Sequence, residues 1–418
     1  MLLQEFPKFL LENVGKNDCY ANATFQSVFR VIPLVKYLLK HGDYLTTHKT
    51  ELVKRYEDHH DTLTRRLEAE ISRTLERSPR DDPQTALLWE TLVLLSEAEQ
   101  QKAKRGKGKG KKKAKEEHTL AVRAESMYTT LVRSSVDSVI GRMEDAHAAR
   151  ECLLENLHCE LVAASELART RHTDAPRDLT LQQAGTDMSK RTAVSDISRG
   201  ELKSTVTCDE CGHVSITDRE ATWSLSVQIP AAVVDLTEET GQQPSADGRE
   251  CVQSFFKPEE LKGREQYFCE RCGHKCNATK RLSMATVPPA LCNETHVLLP
   301  EELDVSPYAQ KQTEGHILTS VIEHRGSSLH SGHYVEYHRH IAPNGQSKWL
   351  VFDDQVNIIE EVSLDFVLQH QAYMATYVQP NALAAVSPPE LAEAPADGPD
   401  AAQPAASKKV ANRCQHIP

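Results

Sequence analysis

The sequence predicts an α+β fold, with helices gathered early in the chain and strands late. Three observations carry this. Apolar residues recur at helical spacing up to about Leu161, short β-type runs begin after Glu201, and two near-identical C-x-x-C segments fall within the strand-rich part. In order, Ala21, Phe25, Val28, Phe29 and Ile32 fall at helical spacing until Pro33 stops the pattern, which puts Cys19 at or near a helix N-terminus. From Thr50 to Pro79, Leu52, Tyr56, Leu63, Leu67, Ile71 and Leu75 mark one face of a long charged helix, and a second apolar stretch runs from Ala86 to Leu95. The two read as a helical hairpin inserted into something else. Helical patterning resumes from Met143 to Leu161. The expected strands are Trp223–Ile229, His316–Ile322, His333–Tyr337, Trp349–Phe352 and Tyr373–Val378.

Composition narrows the class. With 418 residues and 39% hydrophobic content the chain can bury a core, which excludes disorder throughout. Forty-nine Lys and Arg against 60 Asp and Glu give a formal charge of -11, so charge alone does not drive the whole molecule onto nucleic acid or an anionic bilayer. The local exception is Lys102 to Lys115, with nine basic residues and no acid. Nucleic acid or an import receptor could engage it, but a solvated linker is the preferred reading. No apolar run approaches the ~18 residues that span a bilayer, and Met1 to Gly15 lacks a basic-then-apolar leader layout. The expectation is an intracellular protein, in cytoplasm or nucleus, without membrane partners. After Pro380 the chain turns Ala- and Pro-rich, which predicts a disordered tail over 381–418.

Eleven cysteines are an odd number, and four of them form two knuckles, Cys208-Asp-Glu-Cys211-Gly-His and Cys269-Glu-Arg-Cys272-Gly-His. In each, two thiolates reach one cation and the glycine lets the backbone fold around the sulfurs. Two knuckles complete a tetrahedral four-sulfur site for one structural Zn2+. The long interval between them places that site at the base or tip of an extended two-stranded projection. Four protein ligands leave no open position, so the metal would hold strands together and take no part in chemistry.

Cys19 is the candidate nucleophile, because a helix N-terminus and an imidazolium together lower a thiol pKa into the ~3.5 to 7.5 range. His333 is the candidate partner: Gly332 precedes it, allowing close backbone approach, and it opens a β-run. A turn around Pro343-Asn344-Gly345 then returns the chain through Trp349–Phe352 to Asp353. In a tight hairpin register His333 would face Val356, so contact with Asp353 calls for a longer loop or a bulge.

The order Cys, His, Asp is what a papain-like thiol hydrolase uses. Asn13 to Gln26 resembles the Cys box of the ubiquitin-specific proteases, and His324 to Tyr337, Trp349 to Asp354 and Ala372 to Tyr377 resemble their His box. Glu144-Asp-Ala-His147, Arg199 to Ser204, Pro258 to Leu261 and Leu303 to Tyr308 match further stretches in order, so the resemblance covers about Asn13 to Val378. It implies a hand-like catalytic domain over 1–380. A helical thumb would take about 1–198, with the helical and lysine-rich insertion at 45–118; zinc-tied β fingers would take about 199–287 and an antiparallel β palm about 288–380. It also implies ubiquitin and ubiquitinated proteins as partners, Cys19 as nucleophile, His333 as general base and Asp353 as orienting carboxylate.

Two departures temper the resemblance. The family's oxyanion asparagine lies five positions before the cysteine, where this chain has Val14. Asn13 is one position further away, so either the loop bulges around Asn13 or Asn17 is the donor. Between Val287 and Leu303 a stretch of the palm is expected to be deleted, leaving strand edges for another segment to cover. These departures favour the alternative to a deubiquitinase, a ubiquitin-binding scaffold with little turnover.

Overall fold

The helix that begins at Cys19 is enclosed on all sides. In the computed structural model, which describes residues 9–13, 17–51, 84, 86–88, 90, 120–122, 125–135, 138, 140–171, 191–216, 220–227, 247–297, 299–328, 331–341, 346–356, 358–370 and 372–384, that helix is α1 (Cys19–Val28), and all ten of its residues are buried. The apolar spacing sets its phase. Pro33 does not simply end it: the proline sits in the first turn of α2 (Ile32–Thr47), where its missing N–H leaves no bond unmade. Around these stand α3 (Glu125–Ser134), α4 (Ala146–Arg171) and α5 (Ala193–Ser198), with Leu34, Tyr128, Leu153, Leu157 and Val194 in one continuous core. A short parallel pair, β1 (Phe9–Leu11) with β2 (Leu120–Val122), completes this layer.

After α5 the chain turns to strands. A five-stranded sheet has the order β4-β3-β10-β7 with β5 also against β3. Its centre is the long antiparallel pair of β3 (Gly200–Cys208) and β10 (Ala278–Thr286), in register from Cys208 opposite Ala278 to Leu202 opposite Met284. The shorter members are β4 (Val214–Ile216), β5 (Glu220–Thr222) and β7 (Glu259–Leu261). Between β3 and β10 also lie β6 (Leu225–Ser226), α6 (Gly248–Phe255) and the small hairpin of β8 (Tyr267–Cys269) and β9 (His274–Cys276).

The second sheet has eight strands. It is built from β6, β11 (Ala290–Val297), β12 (Glu302–Leu303), β13 (His316–Ser328), β14 (Ser331–Ile341), β15 (Ser347–Asp353), β16 (Ile358–Val362) and β17 (Ala372–Val378), in the order β16-β15-β14-β13-β17-β11-β6 with β12 on β13. Short helices α7 (Leu364–Gln369) and α8 (Pro380–Ala384) flank β17, so the first residues after Pro380 are helical. Alternation splits each strand between two cores: Ile322, Tyr334 and Met374 pack toward α1, and their neighbours Val321, Val335 and Ala375 pack into the second core. The expected gap after Val287 takes a different form. Residues 290–297 make a full strand, antiparallel to β17 and parallel to β6, so β17 is paired on both edges. Of the expected strand Trp223–Ile229, β6 is the paired portion; the Lys102–Lys115 run, most of 45–118 and residues beyond 384 lie outside the described residues.

Because α1 is buried all round, its polar side chains need partners within the protein. Thr24 Oγ1 donates to the Ala146 carbonyl at 3.1 Å, tying α1 to α4. Towards the sheet, Ser320 Oγ lies 3.1 Å from Ser27 Oγ and 2.9 Å from Glu336 Oε1. Just past the helix, Arg30 donates to Gln26 at 3.2 Å and stacks over the Phe352 ring. Burial pushes the Glu336 carboxyl up to about 7, with Arg30 and Ser320 opposing the rise. A carboxyl raised in the fold stabilises it below its unfolded pKa of 4.5, and that contribution is lost as pH rises through about 7. Relative to Glu336→Gln, the wild type should therefore lose stability between pH 4.5 and 7.5, by up to about 3 kcal/mol; parallel urea titrations at pH 5 and 7.5 measure it, and an unchanged difference between the two proteins would count against it.

Candidate active site and cysteine cluster

Cys19 is the first residue of α1, as the sequence predicts. Its thiol lies against the Tyr334 backbone, one residue from His333, so the fold brings these distant parts of the chain to one place. His333 and Asp353 meet directly, with Nε2 of the imidazole 2.8 Å from Asp353 Oδ1. The register explains how. Glu336 faces Phe352, so continuing the ladder sets Asp353 opposite Val335, diagonal to His333 and on the same face of the sheet. No bulge between β14 and β15 is needed. Asp354 is also close, its Oδ1 3.8 Å from His333 Nε2, while its Oδ2 accepts from Asn22 Nδ2 at 2.7 Å. Asn22 stands one turn after Cys19 on α1, so it links the thiol's helix to the acids at the end of β15.

The electrostatics differ from the expectation of an ionised thiol. Burial pushes Cys19 up to about 11; the Asp354 and Asp18 carboxylates add to the rise, and backbone hydrogen bonds with Tyr334 and Tyr20 only partly offset it. The helix N-terminus is present but is outweighed by desolvation and by nearby negative charge. Burial likewise raises Asp354 to about 6, against the lowering effects of Asn22 and His333.

Of the two asparagines considered as oxyanion donors, Asn17 adopts a left-handed backbone (φ 55) and spends its amide on the Gly141 carbonyl at 3.0 Å. Asn13 is partly buried, ahead of residues 14–16, which lie outside the described residues. Gly332 has the close-approach role that the sequence suggests: a Cβ there would stand 2.7 Å from the Arg325 carbonyl oxygen and 2.5 Å from His324 Nε2.

The four knuckle cysteines come together. Cys208, Cys211, Cys269 and Cys272 place their sulfurs within 4.8 Å of one another, with Cys208–Cys272 at 4.0 Å and Cys211–Cys269 at 3.6 Å. Zn–S bonds of about 2.3 Å in a tetrahedron require S–S edges of about 3.8 Å, so this cluster is compatible with zinc. Each knuckle closes by its glycine: Gly212 N–H donates to the Cys208 carbonyl at 2.9 Å and Gly273 N–H to that of Cys269 at 2.8 Å, with φ of +67 and +76. Such left-handed turns suit glycine. Cys276 is fully buried beside Cys208 and Cys269, a neighbour that the spacing of the cysteines does not reveal.

A cavity of about 650 Å³, lined by Arg249, Glu302, Tyr308 and His316 among others, lies at the opposite end of β13 from His333 and is separate from this chemistry. Among the described residues no helix is long and apolar enough to cross a membrane.

A buried thiol opening a helix and a hydrogen-bonded His–Asp pair on a sheet are the side-chain types that thiol hydrolases use. Residues 10–377 match the family model for ubiquitin carboxyl-terminal hydrolase, and the chain belongs to that family. It is 27% identical over 268 residues to ubiquitin carboxyl-terminal hydrolase 3 of Homo sapiens, covering 58% of this chain and 50% of that protein. It is 33% identical over 147 residues to ubiquitin carboxyl-terminal hydrolase 17-like protein D of Mus musculus, covering 31% of this chain and 26% of the relative. With ubiquitin carboxyl-terminal hydrolase 48 of Danio rerio it shares 29% over 175 residues, 37% of this chain and 15% of the relative. The chain thus spans half or less of the length of each of these relatives.

At Gly332 an alanine methyl would meet backbone that cannot yield cheaply, so Gly332→Ala should lower stability by about 1–3 kcal/mol and displace His333. Urea denaturation together with the His333 NMR signals tests this; a variant with unchanged stability and spectrum would refute the close-packing argument.

Proposed function

We propose that the chain is a cysteine-type deubiquitinase that hydrolyses the isopeptide or thioester-like bond at the C-terminal glycine of ubiquitin. The observation that carries this reading is the 2.8 Å His333–Asp353 bond, one residue along the strand from Tyr334, whose backbone meets the Cys19 thiol, in a chain of this family. Asp353 holds Nε2 of the ring, leaving Nδ1 to take the thiol proton. The sulfur then attacks the glycine carbonyl carbon. As the C–N bond breaks, the imidazolium returns its proton to the leaving amine, giving a thioester. Water, deprotonated by His333, attacks that thioester and restores the thiol. The oxyanion is met by the Cys19 backbone N–H at the helix N-terminus and by Asn13, Asn17 being committed to Gly141.

In this reading the helical layer over about 1–198 is a thumb, 199–287 are fingers and 288–380 a palm, and ubiquitin and its conjugates are the partners. Cys208, Cys211, Cys269 and Cys272 would hold one Zn2+, which would crosslink the end of β3 to the β8–β9 hairpin. The second reading is a ubiquitin-binding scaffold with little turnover. The thiol raised to about 11 favours it, as does the offset of Asn13.

Ubiquitin bearing a C-terminal electrophile separates the two. Covalent labelling that disappears in Cys19→Ala and in denatured protein supports the enzyme, whereas tight reversible binding without labelling supports the scaffold. For the enzyme, Asp353→Ala should lower kcat at least ~10²-fold, and Asn13→Ala should lower it ~10²- to 10³-fold. Metal analysis should return about one zinc per chain, lost in Cys272→Ser together with protection of β8–β9 from proteolysis; a metal-free wild-type protein would remove the crosslink from this account.

A further inference from the structure

The β13–β14 register sets Arg325 directly opposite His333. Opposed residues of an antiparallel pair share a face, so the guanidinium starts out on the side of the sheet that carries the His333–Asp353 pair. It reaches that pair: Arg325 Nη1 donates to Asp353 Oδ2 at 3.3 Å, while Asp353 Oδ1 is taken by His333 at 2.8 Å. The two oxygens of one carboxylate are divided between two cationic or potentially cationic partners.

The guanidinium is itself held. Its Nε donates to Glu323 Oε2 at 2.9 Å and its Nη2 to the Tyr337 hydroxyl at 2.9 Å, and that hydroxyl donates to the same Glu323 oxygen at 2.7 Å. Glu323 is two residues before Arg325, and Tyr337 four after His333, so strand alternation brings all of them to one face. A fork fixed at three points cannot swing off Asp353 without breaking the others.

Among the described residues, the charged and titratable groups that meet His333 or its partners are Asp353 and Asp354 from the end of β15, Glu323 and Arg325 from β13 and Tyr337 from its own strand, with Cys19 and Asp18 at the start of α1 acting on Asp354. His324 lies beside Tyr334, on the other face. Within this set Arg325 is the one permanent cation.

We propose that Arg325 is a positioning residue for the candidate triad: it holds one oxygen of Asp353 so that the other faces His333, and its charge opposes protonation of that imidazole. The kinetic part rests on the deubiquitinase reading; the titration part does not. Removing the cation leaves Asp353 to the imidazole and the Gln355 N–H, which donates to Oδ1 at 3.1 Å, so His333 should keep its proton to higher pH.

The test is an NMR titration of His333 in wild type, Arg325→Gln and Arg325→Lys, together with kcat and KM on ubiquitin carrying a C-terminal fluorogenic amide. In Arg325→Gln the His333 midpoint should rise by about half a pH unit, with the acid limb of kcat/KM following, and kcat should fall about tenfold at a KM within twofold of wild type. Arg325→Lys, which retains the charge without the fork, should keep the midpoint within about 0.2 units of wild type and recover only part of kcat. Tyr337→Phe loosens the clamp alone and covers the case in which Arg325→Gln fails to fold; it should move the midpoint in the same direction by less. Midpoints unmoved in every folded variant overturn the proposal. If the wild type proves inactive on ubiquitin, the midpoints still decide the role of Arg325, and only the kinetic reading falls.

Discussion

Complete burial of a helix that carries polar side chains is the constraint on which the rest of this structure turns. Every residue of α1 is out of solvent, so Asn22, Thr24, Gln26 and Ser27 must each find a partner in the surrounding layers, and those partners fix where the helix can sit. Thr24 ties it to α4, Ser27 meets Ser320 of the sheet, and Asn22 reaches Asp354. The helix is thereby located in rotation and along its axis, and Cys19 at its first turn is located with it. A wholly apolar helix could slide or rotate among hydrophobic neighbours at small cost; one pinned by specific hydrogen bonds on two sides leaves unsatisfied buried groups when it moves. Placement of the thiol next to β14 thus follows from packing more than 300 residues apart in sequence.

That same burial sets the chemistry against the simplest expectation. A helix N-terminus favours a thiolate, but the effect is modest and local, whereas desolvation acts on the whole charge. Here desolvation wins, and two nearby carboxylates reinforce it. Helix position is readable from periodicity. The depth of the thiol, and the company of Asp18 and Asp354, depend on what the sheet lays over α1, which no local pattern encodes.

Other differences between sequence and structure have the same origin. Cys19 at a helix start, the nearness of His333 to Asp353 and the two knuckles were legible because each depends on short-range signals: apolar residues at helical spacing, a hairpin after glycine, and cysteines at fixed spacing. Residues 290–297 were harder. Their polar centre, Asn293-Glu-Thr-His296, hides the alternation of a strand, and only pairing with β17 and β6 reveals it. The contacts of Asn22, Asp354 and Arg325 depend on cross-strand register and on how α1 packs against the sheet, although the adjacency of Asp353 and Asp354 was in plain view. For the His333–Asp353 contact the missing quantity was register: a shift of one residue decides whether an acid lies opposite, diagonal or on the wrong face.

The acidic surroundings of Cys19 bear differently on a lone thiolate and on a thiolate–imidazolium pair. Moving the proton from sulfur to His333 leaves the net charge unchanged while placing a cation 2.8 Å from Asp353 and 3.8 Å from Asp354. Each carboxylate repels the sulfur and attracts the imidazolium; Coulomb energy falls with distance, so the end of the pair that lies nearest decides the sign. Asp353 bonds the ring directly, so its net effect favours proton transfer. Asp354, shared between Asn22 and the ring, acts on both ends and raises the thiol while steadying the imidazole. Arg325 takes the second oxygen of Asp353, so the carboxylate charge is divided between the guanidinium and the ring. On the proposed reading, reactivity is then a property of the pair and not of the cysteine. The sulfur stays protected by its proton until the imidazole can take it, and whatever disturbs the sheet position of His333 silences the nucleophile without touching it.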